Sequence, residues 1–130
     1  MSNATFVSGP ISFPAAVALE KFRLVAVNAD GALEYAGAAG PVFGAVTEKA
    51  DPANNALPTT VAVHYGTSAV KLTVAGGDAA AIKAGAAVYA AANGEAAATG
   101  TVLVGVAARD GEGTRVVTVL NQLPAAPAGV

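Results

Sequence analysis

The chain of 130 residues has no cysteine, no tryptophan and one histidine, and only 12% of it is charged and 5% aromatic. Each shortage excludes something. Without cysteine there are no disulfides and no thiolate zinc sites, and the redox state of the compartment leaves no trace. With a single histidine, any metal would fall to carboxylates, and Asp51, Asp78, Asp110 and Glu112 never form a calcium-loop spacing. Neither a metal set nor a cofactor motif is predicted. Soluble domains ordinarily carry roughly 25% charged residues, so this surface is sparsely charged. The seven basic residues (Lys21, Arg23, Lys49, Lys71, Lys83, Arg109 and Arg115) are scattered along a chain of formal net charge −2. That gives no electrostatic footprint for nucleic acid. No window reaches the roughly 18 uninterrupted apolar residues of a membrane span. Residues 1–14 lack the basic start and continuous apolar run of a signal peptide. The expectation is a soluble protein, made and used without export, that binds neither membrane nor nucleic acid.

What the chain does have is 54% apolar residues, about a quarter alanine, and 15 glycines. The apolar content is too high for disorder, and the length suits one domain. Alanine and glycine bury little area each, so the core is thin. A thin core under a sparsely charged surface points to burial completed against partners, including further copies of the chain.

Alanine alone favours helix, but the turn signals argue for strands. Residues 22–27 run into Asn28-Ala29-Asp30-Gly31 and then 32–36, which reads as a hairpin turning at Asp30 and Gly31. Short β-branched runs follow at 41–47, 59–65 and 68–74. Residues 78–85 carry an N-cap Asp78, three alanines and a terminal Gly85, which predicts a helix of one or two turns. A second hairpin turns at Asn93 and Gly94, and runs at 102–107 and 114–120 flank a turn supplied by Asp110-Gly111-Glu112-Gly113. Turn signals at this spacing predict an all-β fold, a small β-barrel or β-sandwich of short strands with one short helix. Residues 22–65 and 86–120 echo each other, with Phe43-Gly44-Ala45-Val46 matched by Val104-Gly105-Val106-Ala107. The echo is either two similar β-units about one core or coincidence among Val, Ala and Gly in a biased composition.

The ends differ from the middle. Residues 1–17 read as an extended arm, in which Gly9, Pro10 and Pro14 punctuate Phe6, Val7, Ile11 and Phe13. Large side chains on an arm need another surface, so these four are the predicted contacts to a neighbouring copy or a larger assembly. Deleting residues 1–14 is expected to leave the β-domain of 18–121 folded. Residues 122–130 read as a flexible tail.

Chemistry finds little support. His64, Ser68 and either Asp78 or Asp110 could be nominated as a triad, but no Gly-x-Ser-x-Gly surrounds Ser68. His64 reads more simply as a strand residue. No Gly-Lys-Ser or Gly-Lys-Thr exists for a P-loop. Glu20, Glu34, Glu48, Glu95 and Glu112 fall near strand ends, where they confer solubility and protect edges. No catalytic residue is predicted. A ligand- or carbohydrate-binding β-module, and a head–tail or tail structural protein, stand as alternatives to the reading that follows.

Ile82-Lys83-Ala84-Gly85-Ala86-Ala87-Val88-Tyr89, then Asn93-Gly94, Val104-Gly105-Val106-Ala107 and 113–120 ending in Val119-Leu120, resemble a family of small tailed-phage proteins. These are the capsid decoration, or cement, proteins. The likeness covers about residues 18–121 and departs at Ala86, where many members carry an acidic residue. The resemblance implies a β-barrel or β-tulip domain on the outer surface of the phage head, after synthesis in the host cytoplasm. It also implies a homotrimer that bridges subunits of the major capsid protein and stabilises the expanded shell.

Overall fold

In a computed structural model, residues 9–121, 123 and 124 are described. They contain ten short strands: β1 (Ile11–Pro14), β2 (Arg23–Val27), β3 (Leu33–Tyr35), β4 (Gly44–Val46), β5 (Thr60–His64), β6 (Ser68–Thr73), β7 (Ala87–Ala90), β8 (Ala96–Ala97), β9 (Leu103–Ala107) and β10 (Arg115–Leu120). The fold is all-β. The strands form two five-stranded antiparallel sheets, ordered β1-β5-β4-β2-β3 and β6-β10-β9-β7-β8. Each half of the chain thus builds one sheet, and the two sheets share one strand order. Ala15, just past β1, makes a parallel bridge to Leu33 on the opposite edge strand, and Val74, just past β6, does the same to Ala96. Each sheet therefore rolls until its two edges meet.

Rolled sheets have separate interiors, so the chain has two cores. Val25, Leu33, Val46, Val61 and Val63 fill the first, together with Ala15, Leu19 and Ala50 from the crossing segments. The second gathers Val70, Leu72, Val88, Val104, Val116 and Leu120, joined by Leu24, Ala36, Val42 and Ala45 from the first half. Strand alternation explains the division: neighbours Leu24 and Val25, and Ala45 and Val46, point to opposite faces of the first sheet. The small residue Ala45 lets that sheet sit closely on the second core.

The two echoed motifs place glycines at matching points. A Cβ on Gly44 would overlap the carbonyl oxygen of His64, and one on Gly105 would overlap that of Val119. Each glycine lets the fourth strand of its half close on the fifth.

Three sequence expectations change. Residues 11–14 are not outside the β-domain: β1 pairs with β5 from Ile11–Val63 to Pro14–Thr60 and forms an edge of the first sheet. The prolines permit this because an edge strand needs donors on one side only. The helix at 78–85 reduces to a 3-10 turn over Ala79–Ala81, and Asp78 makes no side-chain cap. Three residues between glycine-rich flanks are too few to propagate an α-helix, and the core takes Ile82, which is 1% exposed. Gly111, read as a turn glycine, is instead needed because a Cβ there would collide with the Ala79 carbonyl.

Candidate functional site

The predicted arm contacts divide. Phe6 and Val7 lie outside the described residues, as do Gln122 and residues 125–130 of the predicted tail. Ile11 and Phe13 are half-buried in β1. The Phe13 ring meets Phe43 edge-on at 5.4 Å between centroids, and Phe43 lies 5.9 Å from Tyr65. The chain's own aromatic row thus covers part of what the sequence assigned to another surface.

The residues at the two predicted turns have organisers that the sequence reading missed. In the β2–β3 hairpin the Asn28 carboxamide oxygen accepts the N–H groups of Asp30 (2.9 Å) and Ala32 (3.0 Å), while its amide donates to Glu34 (2.8 Å). Gly31 supplies a left-handed φ of +77°. At the second turn Asn93 (φ +59°) and Gly94 (φ +71°) both adopt that conformation. Gly94 also packs where a Cβ would strike the Leu24 carbonyl, and its N–H donates to Ala36 at 2.8 Å. That turn therefore docks one half of the chain onto the other.

The nominated catalytic groups hold other partners. His64 Nε2 lies 3.4 Å from the Thr47 hydroxyl, and the Ser68 hydroxyl donates to the Tyr65 carbonyl at 3.0 Å. Asp110 accepts the Ala84 N–H at 2.9 Å, closing the turn that Asp78 was expected to cap.

Two surfaces stand out instead. The first is the outer face of the second sheet. Register places Ala69 beside Val119, Val119 beside Val106, and Val106 beside Ala87, in one transverse row. Alternation turns this row away from the core, and Val117 and the 37% exposed Leu103 extend it. In the first sheet the corresponding outward side, with Leu24 and Ala45, is covered by the second half of the chain. In the second sheet no described residue covers the apolar row, and Val106 and Val119 are only half-buried.

The second surface overturns the expectation of scattered basic residues. A cleft of about 610 Å³ is lined by Lys71, Arg109, Asp110, Glu112, Thr114, Arg115 and Val117. An adjoining cleft of about 300 Å³ shares Thr114 and Arg115 and adds Glu20, Lys21, Arg23, Lys49 and Thr73. Six of the seven cations thus line one continuous surface with three carboxylates, leaving Lys83 and six carboxylates elsewhere. Arg115, which the clefts share, stacks on Phe22, whose ring centroid lies 4.4 Å from that guanidinium and 5.3 Å from Lys21 Nζ. Phe22 has φ +65°, a left-handed conformation that bulky residues rarely adopt. It is held there by Phe22 N–H donating to Val46 and by Thr73 N–H donating to the Phe22 carbonyl, both at 2.8 Å. The sequence carried a partial signal: Lys71 and Arg115 occupy outward positions of their strands, and Lys21 and Arg23 flank Phe22.

Two rolled five-stranded sheets of like strand order, joined through Gly94 and the Phe22 crossing, define the architecture. It is similar to a solved phage structure, the N base of the head fiber gp8.5 of bacteriophage phi29. The two superimpose with a TM-score of 0.64 at 18% identity, over 91% of this chain and 98% of that one. At that identity the likeness is one of fold. No family model matches the chain, and no curated protein sequence matches it.

Proposed function

We propose that the protein is a structural, non-enzymatic component of a phage virion. It binds the outside of the head and stabilises the expanded shell by bridging subunits of the major capsid protein. The observation that carries this reading is the end-to-end fold likeness to a phage head fiber base, which spans nearly all of both chains. The motif resemblance to decoration proteins points the same way independently. The open apolar row on the second sheet supports self-association, because an apolar sheet face gains by burial against a copy, and the resemblance to decoration proteins makes the proposed assembly a homotrimer.

The mechanism is linkage. A protein that binds the assembled shell and not its free subunits stabilises the shell by about 2.7 kcal/mol per site at a free concentration of ~100 Kd. Repetition over an icosahedral surface multiplies that term.

The test is to incubate heads lacking the protein with the purified chain, sediment them, and image them in vitreous ice. Lobed density outside the shell and greater heat resistance are expected. A chain that stays in the supernatant at all concentrations refutes the proposal. Light scattering of the free protein checks the trimer, and a stable monomer up to high concentration removes that part.

A further inference from the structure

We propose that the paired basic clefts around Phe22 bind an extended, carboxylate-rich segment of a different protein. Several independent features converge there. Among the described residues the single ion pair is Lys49 with Glu20, at 3.7 Å, so Lys21, Lys71, Arg109 and Arg115 keep their charges for an external partner. Arg23 donates through Nη1 to the Asn93 carbonyl at 3.0 Å, which fixes its guanidinium at the second cleft. Phe22 is held in a left-handed conformation that places its ring under Arg115. Backbone strain of this kind persists where surrounding structure over-determines it and clusters at binding sites. The cation–π contact leaves the guanidinium charged and fixed in direction.

The chemistry of the clefts selects the class of partner. Glu20, Asp110 and Glu112 are interleaved with the cations, so a uniformly charged phosphate backbone would meet repulsion at intervals. A polypeptide can space its carboxylates with uncharged residues to suit. A second copy of this chain is a poor occupant, because its nine carboxylates form no run with an acid at every second residue beyond the pair Asp110 and Glu112. Its closest-spaced acids, Asp110 and Glu112, lie in the cleft itself, and Glu34 and Asp51 are held in their own turns. The segment must come from another protein. That the partner is a head protein rests on the function proposed above.

The test is an NMR titration of the intact, isotope-labelled protein with a short synthetic peptide of alternating glutamate and alanine. Expected are shifts at Phe22, Arg23, Lys71, Thr73, Thr114 and Arg115 that fade with added salt. Lys71→Glu combined with Arg109→Glu, both exposed and remote from the Phe22 stack, is expected to weaken binding on the order of tenfold. Lys83→Glu, outside the clefts, is expected to leave it within about twofold. Dispersed spectra verify that the variants fold. The proposal is overturned if no shifts localise to the clefts, or if Lys83→Glu weakens binding equally. It is also overturned if a DNA duplex binds the same residues more tightly, or if raising the protein concentration alone produces the same shifts. The titration needs no heads, so its failure with head binding intact removes only this proposal. Peptide binding without head binding removes only the function above.

Discussion

Thr118 offers the sharpest test of how this core is built. Its side chain is completely buried in β10, and its hydroxyl has no hydrogen-bond partner among the described residues. Its register neighbours are Val70 and Ala107, neither of which offers a side-chain acceptor. The matching residue of the first half is Val63, since Gly44 abuts His64 as Gly105 abuts Val119. Replacing Thr118 by Val keeps volume, branching and strand preference almost constant. What changes is one hydroxyl, whose unpaired burial costs about 1–3 kcal/mol. Residual relaxation takes back part of this, so Thr118→Val is expected to stabilise by about 1–2 kcal/mol. Thr118→Ser, which keeps the hydroxyl and removes a methyl, is expected to destabilise by about 1 kcal/mol. Urea unfolding followed by circular dichroism measures both. The midpoint should move in opposite directions, with the slope against denaturant unchanged. If Thr118→Val lowers stability by more than about 0.5 kcal/mol, the hydroxyl has a partner and the reasoning fails.

Other perturbations probe the remaining contacts. Gly44→Ala and Gly105→Ala each place a Cβ against a rigid backbone carbonyl, and each is expected to cost about 2–3 kcal/mol in urea unfolding. Gly31→Ala meets open space at φ +77° and is expected to cost only about 1 kcal/mol. Asn28→Ala removes the acceptor for two backbone N–H groups of the first hairpin; a loss of about 1 kcal/mol is expected, with faster amide exchange at Asp30 and Ala32. Phe13→Ala, at a half-buried ring edge-on to Phe43, is expected to lower stability by about 1–2 kcal/mol. An unchanged midpoint there would return residues 11–14 to the role of a free arm.

Much of the architecture was legible because it is local. Asn93-Gly94 carries its left-handed turn geometry in two residues, and alternation in residues 60–64 and 115–120 names the buried face of each strand without a partner. Pairing is different. β1 looked like an arm because its prolines are visible locally while its partner strand, Thr60–His64, lies far along the chain. Gly111 looked like a turn for the same reason, since the Ala79 carbonyl it must clear belongs to another loop.

The basic clefts show where local reading stops. Lys71 and Arg115 each declare by alternation that they face outward, but facing outward is a statement about one strand. That they share a surface follows from the β6–β10 register, in which Lys71 pairs with Val117 and Arg115 with Thr73. That Lys21 and Arg23 join them follows from one hydrogen bond between halves, Thr73 N–H to the Phe22 carbonyl. A one-residue slip in either would turn the same charges to other faces. Sparse charge therefore does not imply diffuse charge: four cations placed by these two contacts join Lys49 and Arg109 on a more definite surface than a larger number spread evenly. The low charge content that argued against a polyanion partner is compatible with a localised site for a short acidic segment.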